Sequence, residues 1–167
     1  MRGWPGRYGV VSQQPPERRG RLPAASGCTN GPALAIRQQN KAAAVMVIPE
    51  NILRAQIAAA KDDTKHAIEL LQAAVDAEDH LSYMEPKDWY IPARESLGGI
   101  LLRSRSYAEA EKVFRSDLEK NLRSGRSLYG LAESLRGQGK KYDAQMVELE
   151  FEEAWKNADT KLRVEDL

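Results

Sequence analysis

Residues 97–110, LGGILLRSRSYAEA, and residues 131–144, LAESLRGQGKKYDA, decide how this chain is read. Leu97 precedes Leu131 by 34 residues, and the same offset joins Gly98 to Ala132, Leu101 to Leu135 and Ala110 to Ala144. Four matches of size and polarity at one spacing mark an internal repeat. Each copy has a helix with apolar residues three and four apart, a short turn, and a second helix. Gly98 and Ala132 are the small residues of the first helices, and Ala110 and Ala144 those of the second, where the pair must cross closely.

Working outward, Pro92 suits a first helical turn and biases Ile91 away from helix, so a helix begins there and runs to about Ser104. Its partner starts near Tyr107 and turns Ala110, Val113, Phe114 and Leu118 inward. On its outer face, Glu111, Arg115 and Glu119 follow at i,i+4 spacing. After Gly125, Leu128, Leu131, Ala132 and Leu135 predict a fifth helix, with Gly137 and Gly139 bracketing its end. A sixth, from near Lys141, holds Ala144, Val147, Leu149, Phe151 and Trp155. Upstream, Pro49 reads as the first turn of a helix whose face is Ile52, Leu53, Gln56, Ile57 and Ala60. Asp62-Asp63-Thr64 supplies cap chemistry for the next, which carries Ala67, Ile68, Leu71, Ala74 and Val75. This hairpin joins the repeat at an offset of 43, with Ala67 under Ala110 and Ala58 under Leu101. The nine extra residues fall in the loop His80 to Ile91. No stretch alternates with period two. The expected fold is therefore all-α: three hairpins and six helices in a short solenoid, at about 49–79, 92–120 and 125–158 within a domain of 42–160. The polar tail, 161–167, is expected to be frayed.

Charge separates this body from what precedes it. Residues 1–41 hold seven of the 25 Lys and Arg but one acid, Glu17, so a head of +6 is attached to a body of −5. The head also holds five of the eight prolines and half of the 12 glycines, a mixture that predicts a disordered extension. It is Arg-rich like an organelle transit peptide, yet its few serines and scattered Pro and Gly argue against that reading. No binding fold stands behind it, so nucleic acid is not an expected partner. No apolar run approaches the roughly 20 residues that span a bilayer, so a membrane is not one either. Cys28 stands alone, which excludes a disulfide framework and makes a reducing, cytoplasmic setting the default expectation.

A 34-residue helix–turn–helix period is that of tetratricopeptide repeats. Residues 50–160 also resemble the C-terminal part of bacterial-type tetratricopeptide proteins. The resemblance rests on Ala73-Ala74-Val75 with Glu78-Asp79, Tyr83, Glu85-Pro86, Asp88-Trp89-Tyr90 and Pro92. It continues through Arg94-Glu95-Ser96-Leu97-Gly98, Ala110-Glu111, Phe114-Arg115, Asp117-Leu118, Ser127-Leu128 and Gly130-Leu131. The Glu-Pro…Trp loop followed by Arg-x-x-Leu-Gly is the specific part. The chain departs from the group between its last two repeats, where Asn121 to Leu128 lacks the group's proline and tryptophan. The resemblance implies a protein-interaction scaffold with no reaction of its own.

Chemistry-bearing clusters are sparse. His66 and His80 are the two histidines and neither has a second ligand at metal spacing, so no metal and no cofactor is expected. Glu85, Asp88 and Glu95 gather near the loop, and capping and ion pairs to Lys87 and Arg94 account for them without a catalytic role. Gly98-Gly99 lacks the preceding strand and the Lys-Ser/Thr of a phosphate loop. No catalytic residue is assigned. Two surfaces are candidates for a protein or peptide partner. One is the concave face lined by first helices, where register places Gln56, Glu95, Arg103, Tyr129, Glu133 and Arg136. The other is the inserted loop, with Trp89 and Tyr90 serving either as a plug between hairpins or as an aromatic contact for a partner. A homo-oligomer is the alternative, formed through the uncapped first hairpin and an apolar edge of Ile48, Ile52 and Leu53.

Overall fold

The computed structural model describes residues 40–167. Residues 1–39 of the basic head, which the sequence reading extends over 1–41, lie outside the described residues. Six helices follow in order: α1 (Ala42–Ala60), α2 (Thr64–Asp79), α3 (Ala93–Arg103), α4 (Tyr107–Lys120), α5 (Gly125–Gly137) and α6 (Lys141–Trp155). No strand occurs among the described residues. Each helix packs on the next, α3 also packs on α5, and α1 touches α3. Three hairpins therefore stack with their first helices side by side.

The backbone carries the same period as the side chains. Asp62, Arg105 and Gly139 turn into the left-handed region, with φ of 61°, 61° and 76°. The next N–H in each case, of Asp63, Ser106 and Lys140, donates to the carbonyl of Ala58, Leu101 and Leu135 at 3.0, 2.9 and 3.0 Å. This closure takes up a free carbonyl at each helix end and reverses the chain within three residues. Its three copies stand 43 and 34 residues apart, the offsets read from the apolar pattern. Gly139, not Gly137, is the glycine that needs positive φ; Gly137 is the last residue of α5.

The first hairpin starts earlier than its proline suggests. α1 begins at Ala42 and Pro49 lies inside it. The ring leaves the Val45 carbonyl without its helical donor. Fully buried Ile48, beside Pro49, anchors the helix with Ile52, Ala55 and Ala58, and alanine-rich residues extend it backward. The exposed apolar edge is correspondingly different. Ile48 and Ile52 are buried, and the outward side shows Met46, Val47, Leu53 and Ile57. At 19 residues, α1 is also long and apolar enough to cross a membrane by length and composition alone. At the other end of the stack, Leu149 faces out with Tyr142 and Met146 instead of packing inward.

The tail is the largest departure from expectation. Val164–Asp166 forms a 3-10 turn that packs on α3, and Leu167 is buried. The Trp155 indole N–H donates to the Thr160 carbonyl at 2.7 Å and so holds the chain beyond the end of α6.

All nine repeat-packing positions, Leu97, Gly98, Leu101, Ala110, Phe114, Leu131, Ala132, Leu135 and Ala144, are buried. Phe114 is the largest fully buried side chain. Its ring sits where a Cβ on Gly98 of α3, or on Gly130 of α5, would overlap it. Ala in place of a helical glycine gains about 1 kcal/mol in propensity. Overpacking against a ring that cannot retreat costs roughly 1–3 kcal/mol or more and should win. Gly98→Ala and Gly130→Ala are each expected to lower the melting temperature by several degrees. Phe114→Leu should lower it too, yet in combination with either alanine it should restore part of that alanine's loss, measured as a double-mutant cycle in thermal or urea unfolding.

Candidate functional site

The helix starts of the second and third hairpins are held by charge. Arg94, almost fully buried at the start of α3, makes a bidentate pair with Asp79 at the end of α2, at 2.8 and 2.5 Å. Lys120, at the end of α4, binds the same carboxylate. Glu78 accepts the Ala93 N–H at 2.9 Å, which caps α3 from the preceding hairpin. One hairpin later, buried Asp117 accepts from the Ser127 hydroxyl at 2.5 Å and from the Asn121 amide at 2.8 Å. These partners differ from the expected ones. Arg94 serves Asp79, Lys87 serves Asn121, and Asp88 binds Asn40, not a neighbouring cation. Burial raises the Glu78 carboxyl. The Arg94 guanidinium, with Lys120 behind it, lowers Asp79 from its ordinary 3.8 to about 2. Lys140, Gln138 and Arg115 do the same for Glu111, again to about 2.

Two concave features result. The first lies along α3 and α5 and is the surface where most of the expected partner residues meet. Arg103 of α3 donates to the Val164 carbonyl at 3.4 Å. Arg126, in the first turn of α5, donates to the Asp166 carbonyl. Leu167 lies against Gly99, close enough that a Cβ there would stand 2.9 Å from it. A cavity of about 280 Å³ opens beside Val164, lined by Leu102, Tyr107, Glu133, Arg136 and Gly137. Arg136 pairs with Glu133 on its own helix and with Glu148 on α6. Tyr129 meets Phe151 at a tilt of 52° with ring centroids 5.5 Å apart, and Phe151 in turn stacks on Trp155 at 6.0 Å. Desolvation raises the Tyr129 hydroxyl, helped by the carboxylates of Glu133, Glu165 and Asp166.

Two of the six expected groove residues are not available there. Glu95 is 4% exposed and bound to Arg126 at 2.7 Å and to the Ser124 hydroxyl at 2.9 Å, so it ties α3 to α5. Gln56 is exposed on α1, away from the tail's contacts with α3 and α5. Arg126, Val164 and Leu167 were missed. Arg126 had no stripe to signal it, and a seven-residue polar tail has no period.

The second feature is a cavity of about 370 Å³ behind the inserted loop, between the ends of α2 and α4. Trp89 and Tyr90 separate there. Tyr90 is 89% exposed, whereas Trp89 packs on the core and lines the cavity with Glu78, Asp79, Asp117 and Asn121. The Trp89 indole nitrogen is buried with no partner in the structure. Asn40 pins the loop, donating to the Ser82 carbonyl at 2.9 Å and accepting the Ser82 N–H at 2.8 Å. No cluster of three or more metal-ligating side chains occurs among the described residues.

The charge ties make the body acid-sensitive. A folded pKa near 2 means that ionised Asp79 and Glu111 stabilise the fold above pH about 4. That contribution is lost as the pH falls from there toward 2. Asp79→Asn should lower the melting temperature at pH 7 and flatten its fall between pH 4 and pH 2, followed by circular dichroism across that range. An unchanged acid limb would remove Asp79 from the account.

No protein-family model, no curated protein and no solved structure matches the chain.

Proposed function

We propose that residues 42–160 are a tetratricopeptide-type scaffold without a reaction of its own, which binds a segment of a partner protein in the α3–α5 groove. The observation that carries this reading is the seating of the chain's own residues 164–167 there, on Arg103, Arg126 and Gly99. A surface that accepts main-chain carbonyls from a segment of its own chain can accept them from another. The Glu-Pro…Trp loop and the hairpin period support the family assignment.

Panning a random-peptide display library against the chain tests the groove, with Arg103→Glu as the counter-selected variant. Arg103 is exposed and holds the tail by one hydrogen bond, so its replacement should leave the fold intact. Measured on chains that also carry Leu167→Asp, so that the resident tail does not mask the difference, selected peptides should bind the Arg103→Glu form about tenfold less tightly, as expected for losing one charged hydrogen bond. A library yielding no peptide that distinguishes the two would overturn the reading.

A second reading rests on the outward face of α1. Met46, Val47, Leu53 and Ile57 form an apolar edge at the first end of the stack, suited to a second copy or to further helical hairpins. Light scattering across a concentration series tests self-association. Leu53→Lys should return any dimer to the mass of one 18.7 kDa chain.

A further inference from the structure

We infer that the α3–α5 groove recognises a one-turn apolar-x-x-leucine segment through two main-chain carbonyls, and that Val164-Glu165-Asp166-Leu167 is a resident copy which a partner segment of the same form must displace. This deepens the groove reading and rests on it.

The selectivity follows from which tail atoms the groove touches. In a 3-10 turn, residues i and i+3 lie on one side, so Val164 and Leu167 face the helices together. The carbonyls of Val164 and Asp166 accept from Arg103 and Arg126. Backbone carbonyls belong to every residue, so these contacts fix the turn's register and not its sequence. The Asp166 carboxylate is engaged inside the tail, by the Arg163 N–H at 2.9 Å and its guanidinium at 3.0 and 3.2 Å. The middle positions thus need only to sustain the turn. The ends carry the side-chain requirement.

Burial sets the requirement at the leucine end, where Leu167 is 9% exposed. Its main chain reaches that depth because of Gly99: the atoms nearest a Cβ there are the carbonyl carbon, the carbonyl oxygen and the Cβ of Leu167. Gly98 is needed by Phe114, whereas Gly99 is left open by helix packing and admits the backbone of the segment. The other end is under-filled. Val164 is half-buried beside the 280 Å³ cavity, whose wall includes Leu102 and Tyr107. A side chain longer than valine reaches further into that space, with a gain of about fourfold in affinity for each methylene buried. A partner segment with leucine or phenylalanine at this position therefore has the advantage over the resident turn. The tail in turn lowers the apparent affinity for any partner by the fraction of time it vacates the groove.

Fluorescence anisotropy with amidated, fluorescein-labelled Lys-Leu-Arg-Val-Glu-Asp-Leu tests this. The full-length chain is compared with a tail-release variant carrying Val164→Asp and Leu167→Asp. The peptide should bind the release variant at least about tenfold more tightly than the parent. Its Val→Leu analogue should bind about fourfold tighter still, and a peptide with the last Leu changed to Asp should not bind. Gly99→Ala added to the release variant should abolish binding with the helical circular dichroism unchanged. Equal affinity for parent and release variant would overturn the resident role. Failure of the peptide, when library peptides still distinguish Arg103→Glu, would overturn the motif and leave the groove reading standing. Should the release variant lose its helical signal, the parent chain decides. Excess Val→Leu peptide must then speed hydrogen exchange at the Asp166 and Leu167 amides, and unchanged exchange would overturn the inference.

Discussion

The stack depends on one aromatic ring and the space cleared for it. Phe114 is contributed by α4, but its ring is received by Gly98 on α3 and Gly130 on α5. Interiors pack at crystal density, so the absence of two Cβ atoms is what lets three helices close around one ring. The approach of α3 to α5 follows from that closure. A methyl group on either glycine would push the helix outward, and the two guanidinium groups would no longer face the same short segment. The binding surface is thus a by-product of core geometry, set from behind by a residue that no partner touches.

Charge then fixes what the ring leaves free. Arg94, Glu95 and Asp117 are all but fully buried, and each crosses from one helix to another. Buried pairs of this kind add little net stability, because desolvation offsets much of their attraction, yet losing one partner leaves a charge stranded. Their effect is on register. Arg94 can satisfy both nitrogens at Asp79 only if α2 ends where it does, and Ser127 reaches Asp117 only if α5 begins beside the end of α4. The turn between α4 and α5 is held by this hydrogen bond.

The hairpins were legible because helix formers and small residues recur at two offsets, 43 and 34. The closures at Asp62, Arg105 and Gly139 follow the same offsets as Ala58, Leu101 and Leu135. What counting misses is contact between non-equivalent positions. An offset of 34 pairs Gly98 with Ala132, whereas the ring of Phe114 joins Gly98 to Gly130, two residues earlier and on another side of α5. Pro49 misled because its usual place is a helix start, and the fully buried Ile48 beside it outweighs one missing hydrogen bond. Half of the loop reading was visible: Trp89 is inward and Tyr90 outward, a division that adjacent aromatics in a loop do not announce. The tail was illegible for a plainer reason. Its seat depends on one leucine, one half-buried valine and two carbonyls, none of which makes a pattern.

The Trp155–Thr160 hydrogen bond keeps the tail on a short tether. Eight residues separate the end of α6 from the 3-10 turn, so the turn meets its groove at an effective concentration in the millimolar range. Dilution cannot empty a site filled in this way, and a rise in the amount of the protein cannot fill it further. Occupancy of the groove becomes a property of each molecule alone. It responds to what else is in solution and is indifferent to how many copies of the chain are present.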